Sequence, residues 1–179
     1  MKYESKCQLD LIVGSEIRNL DKVLFDKENQ SLVSTNGSAI AVVPCQVEKG
    51  DPEKALLPSG VVKELRIKNR SKGESTLKCN DGNLEYEGRN GNGVIRNDEL
   101  SRLYPKWKRI IEDVPDYLES EKSEKSISIN PKLLLDLSKA LGSENAIKLI
   151  PYGKGRIKVV PHGDRHTNKL GVLMGLRNE

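Results

Sequence analysis

The chain has 179 residues, enough for one globular domain, or two small modules sharing a core, to fold without metal or disulfide staples. Charged residues make up 31% and apolar ones 36%, which excludes the disordered, low-hydrophobicity class. No apolar run approaches the about 20 residues of a membrane span and the first residues lack the apolar core of a secretory signal, so a cytoplasmic protein with no membrane partner is expected.

Taken in chain order, residues 6 to 43 predict strands at Cys7 to Val13, Lys22 to Phe25, Ser31 to Ser34 and Ala39 to Val43, with a turn at Lys27 to Gln30. Gly14 to Asn19 is too short for more than a turn, so this is a partial unit without its helix. Cys7, Cys45 and Cys79 are odd in number and far apart, which argues against a disulfide framework or zinc knuckle and for small buried hydrophobes. Pro58 and Ser59 then open a helix with Val61, Val62 and Leu65 on one side and Lys63, Arg66, Lys68 and Arg70 mostly on the other. Strands follow at Ser75 to Cys79, Asn83 to Glu87 and Gly93 to Arg96. Asp81-Gly82 between the first two suits a type I′ hairpin, since both residues tolerate positive φ, and Asn90 to Gly93 reads as another turn.

Tyr104-Pro-Lys-Trp-Lys-Arg-Ile-Ile111 puts the single Trp, a Pro and three cations in a short connector ending in two aliphatics, a composition suited to recognition. Residues 112 to 125, acidic and Ser-rich, read as a linker. A second helix is fully punctuated: Asn130 as N-cap, Pro131 at the first position, Leu133, Leu134, Leu137, Ala140 and Leu141 at helical spacing, Gly142 as terminator. Ser126 to Ile129 is its expected leading strand, and Ala146 to Ile150, Arg156 to Val160 and Lys169 to Met174 are the strands after it. Strand, helix, three strands thus occurs twice, at residues 57 to 103 and 126 to 179, which divides the chain into a module 1 to 111, a linker 112 to 125 and a second module 126 to 179. Charge follows the same division: residues 61 to 110 carry 12 Lys and Arg against 7 Asp and Glu, 126 to 179 carry 9 against 4, and the linker stretch 111 to 125 reverses to 2 against 6. Two basic modules suggest a polyanionic partner.

Four landmarks in this order resemble the bacterial DNA sliding clamp, the β subunit of DNA polymerase III. Ser34-Thr-Asn-Gly-Ser-Ala-Ile-Ala41 is similar to that family's Ala-Thr-Asp-Gly-His-Arg-Leu-Ala turn, and Leu57 to Leu65 to the segment opening a pore helix. Tyr104 to Ile111 is similar to its Phe/Tyr-Pro-Asp-Tyr/Trp connector, and Val172 to Arg177 to its terminal Val-Ile-Met-Pro-Met-Arg strand. The resemblance implies an α+β clamp-like fold of repeated units with antiparallel sheets, helices lining a hole around DNA, and no catalytic activity. It implies a processivity or tethering role in replication or repair, with duplex DNA and polymerase or other clamp-binding peptides as partners and no cofactor. Lys63, Arg66, Lys68, Arg70, Lys132 and Lys139 would attract phosphates without reading bases. Thr35, Gly37, Pro105, Trp107, Arg109, Ile110, Val172, Met174 and Leu176 would form the peptide pocket. Asn36, Ser38 and Ala39 replace the family's Asp, His and Arg, and Gly175 replaces a Pro, so partner specificity does not transfer. The family has six units per chain, so a ring of this shorter chain would require a homo-oligomer with more copies.

Two other classes compete. A clamp-derived module could bind peptides without encircling DNA. His162, Asp164 and His166 could supply a metal-dependent enzyme, but one loop seldom provides a whole catalytic shell, and no phosphate-binding Gly loop or nucleophile elbow is present in the sequence.

Overall fold

The structure, a computed structural model, describes residues 1–80, 83–95, 104–111, 128–143, 146–152, 155–162 and 168–174. In chain order the elements are β1 (Lys2–Glu4), β2 (Lys22–Asp26), β3 (Ser31–Thr35), β4 (Ala39–Pro44), β5 (Lys54–Pro58), α1 (Ser59–Asn69), β6 (Glu74–Thr76), β7 (Lys78–Asn80), β8 (Asn83–Glu87), β9 (Asn92–Ile95), α2 (Lys108–Ile111), α3 (Pro131–Ala140), β10 (Ile147–Tyr152), β11 (Arg156–Pro161) and β12 (Leu170–Met174). The fold is α+β with antiparallel sheets. A seven-stranded sheet runs β10-β11-β12-β4-β3-β2-β5, beside a three-stranded sheet β7-β8-β9 and the pair β1-β6. Because β12 pairs with β4, strands from both sides of the 112 to 125 stretch share one sheet.

The large sheet is covered on both faces, which explains why β2, β3 and β4 read as near-continuous apolar runs instead of alternating ones. Val23, Phe25, Leu32, Ala41, Val43, Leu57, Val159 and Leu173 join the core under α1 and α3. Their neighbours along the strands point the other way. Leu56, Leu24, Val33, Val42 and Leu170 sit opposite one another across β5, β2, β3, β4 and β12, forming a row on the outer face. Tyr104 and Trp107 pack with that row.

Several expectations required correction. Cys7 to Val13 is not a strand: Leu9–Leu11 forms a 3-10 turn that buries Leu9 and Ile12 between the helices, a spacing of three that suits a helical turn better than a pleat. Ser75 to Cys79 splits at Leu77, whose backbone leaves the ladder to bond Met1. Its N–H donates to the Met1 carbonyl at 3.0 Å and its carbonyl accepts from the Met1 ammonium at 2.8 Å. That ammonium also pairs with Asp51 at 3.1 Å, both groups being fully buried. Ser128 and Ile129 are not in a strand, because Asn130 caps α3 immediately after them, and residues 126 and 127 lie outside the described residues. Sequence reading missed β1 and β5.

α3 follows its punctuation. The Asn130 side chain accepts from the Lys132 and Leu133 N–H groups, Pro131 takes the first position, and Gly142 adopts φ 66°. Gly171 allows α3 to lie close on β12, since a Cβ there would sit 3.0 Å from Leu137 Cδ1. Among the described residues, no helix is long and apolar enough to cross a membrane.

Candidate nucleic-acid interface and partner face

α1 and α3 lie on the same side of the large sheet, with the Leu9–Leu11 turn packed between them. Each buries one stripe, Val62 and Leu65 on α1 and Leu137 and Ala140 on α3, and turns the other to solvent. The solvent faces share a pattern. Lys63 and Ile67 on α1 and Arg70 just past its end fall at i, i+4 and i+7, and Lys132, Leu135 and Lys139 at i, i+3 and i+7 on α3, all exposed to solvent. Lys63, Arg70, Lys132 and Lys139 have no ion-pair partner among the described residues.

The other two candidate cations are engaged. Arg66 Nε and Nη2 each donate to an Asp10 carboxylate oxygen at 3.1 Å, a forked pair in which the Asp10 side chain is 6% exposed. Lys68 pairs with Glu87, and its hydrogen bond and charge hold the Glu87 carboxyl below the usual range. Glu64, the acidic residue on α1, accepts from Asn90 Nδ2 at 3.1 Å. Among the described residues, the cations on these helical faces with no ion-pair partner are therefore four side chains.

A cleft of about 650 Å³ opens where the C-terminal ends of α1 and α3 meet the N-terminal segment. Arg66 from α1 and Arg70 just past its end line it, with Lys139 and Gly142 from the end of α3, and Glu4 and Lys6, an ion pair at 3.5 Å, from residues 4 to 6. Burial opposes ionisation of Glu4, but the hydrogen bond and charge of Lys169, 2.7 Å away, hold its carboxyl below the ordinary value. Sequence reasoning does not find Lys6, Gln8 or Asp10. Their local sequence carries no signal, because the segment reads as strand and its approach to the helices is set by tertiary packing.

The connector lies across the sheet from the helices. Tyr104 Oη donates to the Val33 carbonyl at 3.1 Å, and burial pushes its phenol well above the ordinary value. Trp107 Nε1 donates to the buried Asp26 carboxylate at 3.3 Å. These anchors bring Ile110 onto the cluster containing Val172 and Ile40, while Pro105 is half-buried and Arg109 exposed. The Met174 N–H donates to the Ser38 carbonyl at 3.0 Å, joining the last strand to the turn that carries Gly37. The Met174 side chain is 45% exposed. Thr35 faces inward: its hydroxyl donates to the Ala39 carbonyl at 2.7 Å and accepts from the Gly37 N–H at 3.2 Å. Of the nine expected pocket residues, Thr35, Trp107 and Val172 are therefore buried, and Gly37, Arg109 and Met174 are accessible. Leu176 lies outside the described residues, as do Asp164 and His166, while His162 is exposed at the end of β11.

No protein-family profile matches the sequence, nor does any curated protein sequence. Solved structures do match. The Thermotoga maritima DNA polymerase III β subunit aligns over 100% of this chain and 65% of its own, with 16% identity and a TM-score of 0.60. A putative DNA polymerase III β subunit from Eubacterium rectale aligns over 98% and 64%, with 13% identity and a TM-score of 0.66. The Bacillus subtilis DNA polymerase sliding clamp aligns over 100% and 64%, with 13% identity and a TM-score of 0.57. The chain spans less than two thirds of each of these structures. The likeness gives the fold: the chain has the bacterial sliding-clamp architecture over part of the length of those structures.

Proposed function

We propose that the chain is a non-enzymatic clamp-like factor that holds duplex DNA against its helical face and tethers partner proteins through its connector face, in replication or repair. One observation carries this reading. On a clamp fold, cations with no ion-pair partner among the described residues stand on one side, Lys63 on α1, Arg70 just past its end, and Lys132 and Lys139 on α3, while the connector occupies the opposite side of the sheet. Mobile cations on rigid helices attract phosphates by counterion release and read no sequence, which is what a protein moving along DNA requires. Arg66 and Lys68 drop out of the contact set because Asp10 and Glu87 hold them.

A ring would be a closed homo-oligomer with the helices inward. Partner peptides from a polymerase or another clamp-binding protein would dock on Ile110, Pro105 and Met174, with Arg109 and Gly37 at the rim. A binding role in the cytoplasm also suits the buried thiols. Burial pushes Cys7 up to about 11 and Cys45 up to about 12, leaving neither as a nucleophile at neutral pH.

The test is fluorescence anisotropy with a labelled duplex. Lys63→Glu with Lys132→Glu should abolish salt-dependent binding while a generic apolar clamp-binding peptide still binds, and Met174→Asp should do the reverse. Unchanged duplex binding after charge reversal would exclude the DNA role. The accessible Met174 beside Ile110 would then favour the second reading, a peptide-binding module that does not encircle DNA.

A further inference from the structure

We infer that Asn90 is a site of spontaneous covalent modification: its side-chain amide closes onto the backbone nitrogen of Gly91 and hydrolyses to a carboxylate, which detaches the β8–β9 hairpin from α1. The chain has Asn-Gly at 36–37, 90–91 and 92–93. Asn is a chemically labile residue, and a following Gly lacks the side chain that would shield the attacking nitrogen. By local sequence the three pairs are equivalent. The structure separates them.

Asn36 is held in place. Its Oδ1 accepts from the Ser38 and Ala39 N–H groups at 3.0 and 2.8 Å, and the Gly37 N–H, the group that would attack, donates to the Thr35 hydroxyl at 3.2 Å. Asn92 and Gly93 lie within β9, opposite Glu87 and Tyr86 of β8, and a Cβ on Gly93 would sit 2.6 Å from the Tyr86 ring. A strand ladder and a ring against the glycine restrict the rotation that ring closure requires. Asn90 and Gly91 are instead exposed and outside any strand, in the turn that joins β8 to β9. The bond closing this turn runs from the Gly88 N–H to the Gly91 carbonyl at 2.8 Å, so it does not engage the Gly91 N–H. Gly91 has φ 142°, a conformation that other residues rarely adopt. The turn itself thus demands the small neighbour that leaves Asn90 open to attack.

The reaction balances with water alone. The Gly91 nitrogen bonds to Asn90 Cγ, the Cγ–Nδ2 bond breaks, and Nδ2 leaves as ammonia with the proton of the Gly91 N–H. Water then opens the cyclic imide at one carbonyl or the other, giving aspartate or isoaspartate. Before conversion, Asn90 Nδ2 donates to Glu64 Oε1 at 3.1 Å, and the turn sits so close to that carboxylate that a Cβ on Gly88 would lie 2.5 Å from Oε2. After conversion a second carboxylate stands where the donor was, and an attraction between α1 and the hairpin becomes a repulsion.

The test is incubation of the full chain at mildly alkaline pH, folded and in urea, followed by proteolysis and mass spectrometry that locates each converted Asn. In urea all three pairs should convert at similar rates. In the folded chain Asn36 and Asn92 should remain mostly amide when half of Asn90 has converted. No conversion of Asn90 in the folded chain, or conversion of Asn36 or Asn92 as early as Asn90, overturns the site; a lead for Asn90 in urea as well overturns its selection by the fold. The consequence is read from variants. Asn90→Asp should lower the urea midpoint more than Asn90→Ala, and adding Glu64→Gln to both should remove the difference. Equal midpoints for the two single variants would overturn the repulsion from Glu64.

Discussion

Arg66 lies on the helical side proposed to meet DNA, yet its environment is that of a structural residue. Its guanidinium is forked onto Asp10, whose carboxylate is almost fully enclosed, and the pair ties α1 to the Leu9–Leu11 turn. Arg66→Gln should therefore lower stability in urea by about 3 kcal/mol, because it strands a buried carboxylate. The same variant should leave the salt dependence of duplex binding unchanged. A changed slope with normal stability would return Arg66 to the contact set. The cysteines make a second test at this scale. Burial raises the thiols of Cys7 and Cys45, so each binds its proton more tightly folded than unfolded. Their contribution to stability is complete below about pH 8.5, the ordinary thiol value, and is lost as pH rises through the folded values of about 11 and 12. Tyr3 and Tyr104, also raised by burial, act in the same direction. Urea midpoints should fall steadily above about pH 9, and at about pH 8 a thiol reagent should modify half-buried Cys79 well before the other two.

At the scale of elements, α3 is held by its two ends and by one close approach. Asn130→Ala removes the acceptor for two N–H groups and should cost about 1 kcal/mol in chemical denaturation. Gly142→Ala should cost more than that, since φ is 66° and a Cβ would meet Lys6 Cγ at 2.8 Å and Cys7 Sγ at 3.0 Å. α3 is legible in the sequence because its cap, first proline, apolar spacing and terminal glycine all agree. The three strands after it are legible for a related reason, their turns being marked by Gly and polar residues. β5 is not, since Ala55-Leu56-Leu57 is too short beside Pro58 to show a period. The Cys7 to Val13 segment misleads because Leu9 and Ile12 are apolar at a spacing that local sequence does not separate from a short strand. The candidate site divides similarly. Cations on helix faces can be found by periodicity, whereas their partners, Asp10 and Glu87, lie 56 residues before Arg66 and on β8, distances no local pattern spans.

For the whole molecule, the seven-stranded sheet is the organising feature. It separates a cationic helical side from an apolar connector side, and it carries both faces on one rigid support. Among the described residues its edge strands are β5 and β10, and the proposed assembly would pair such edges between copies. The most direct measurement is solution mass by light scattering across a range of protein concentrations, with and without duplex DNA. A discrete oligomer whose mass does not change with concentration, and which takes up duplex in a salt-dependent manner, is the predicted result. A monomer at every concentration, unaltered by duplex, would contradict the account.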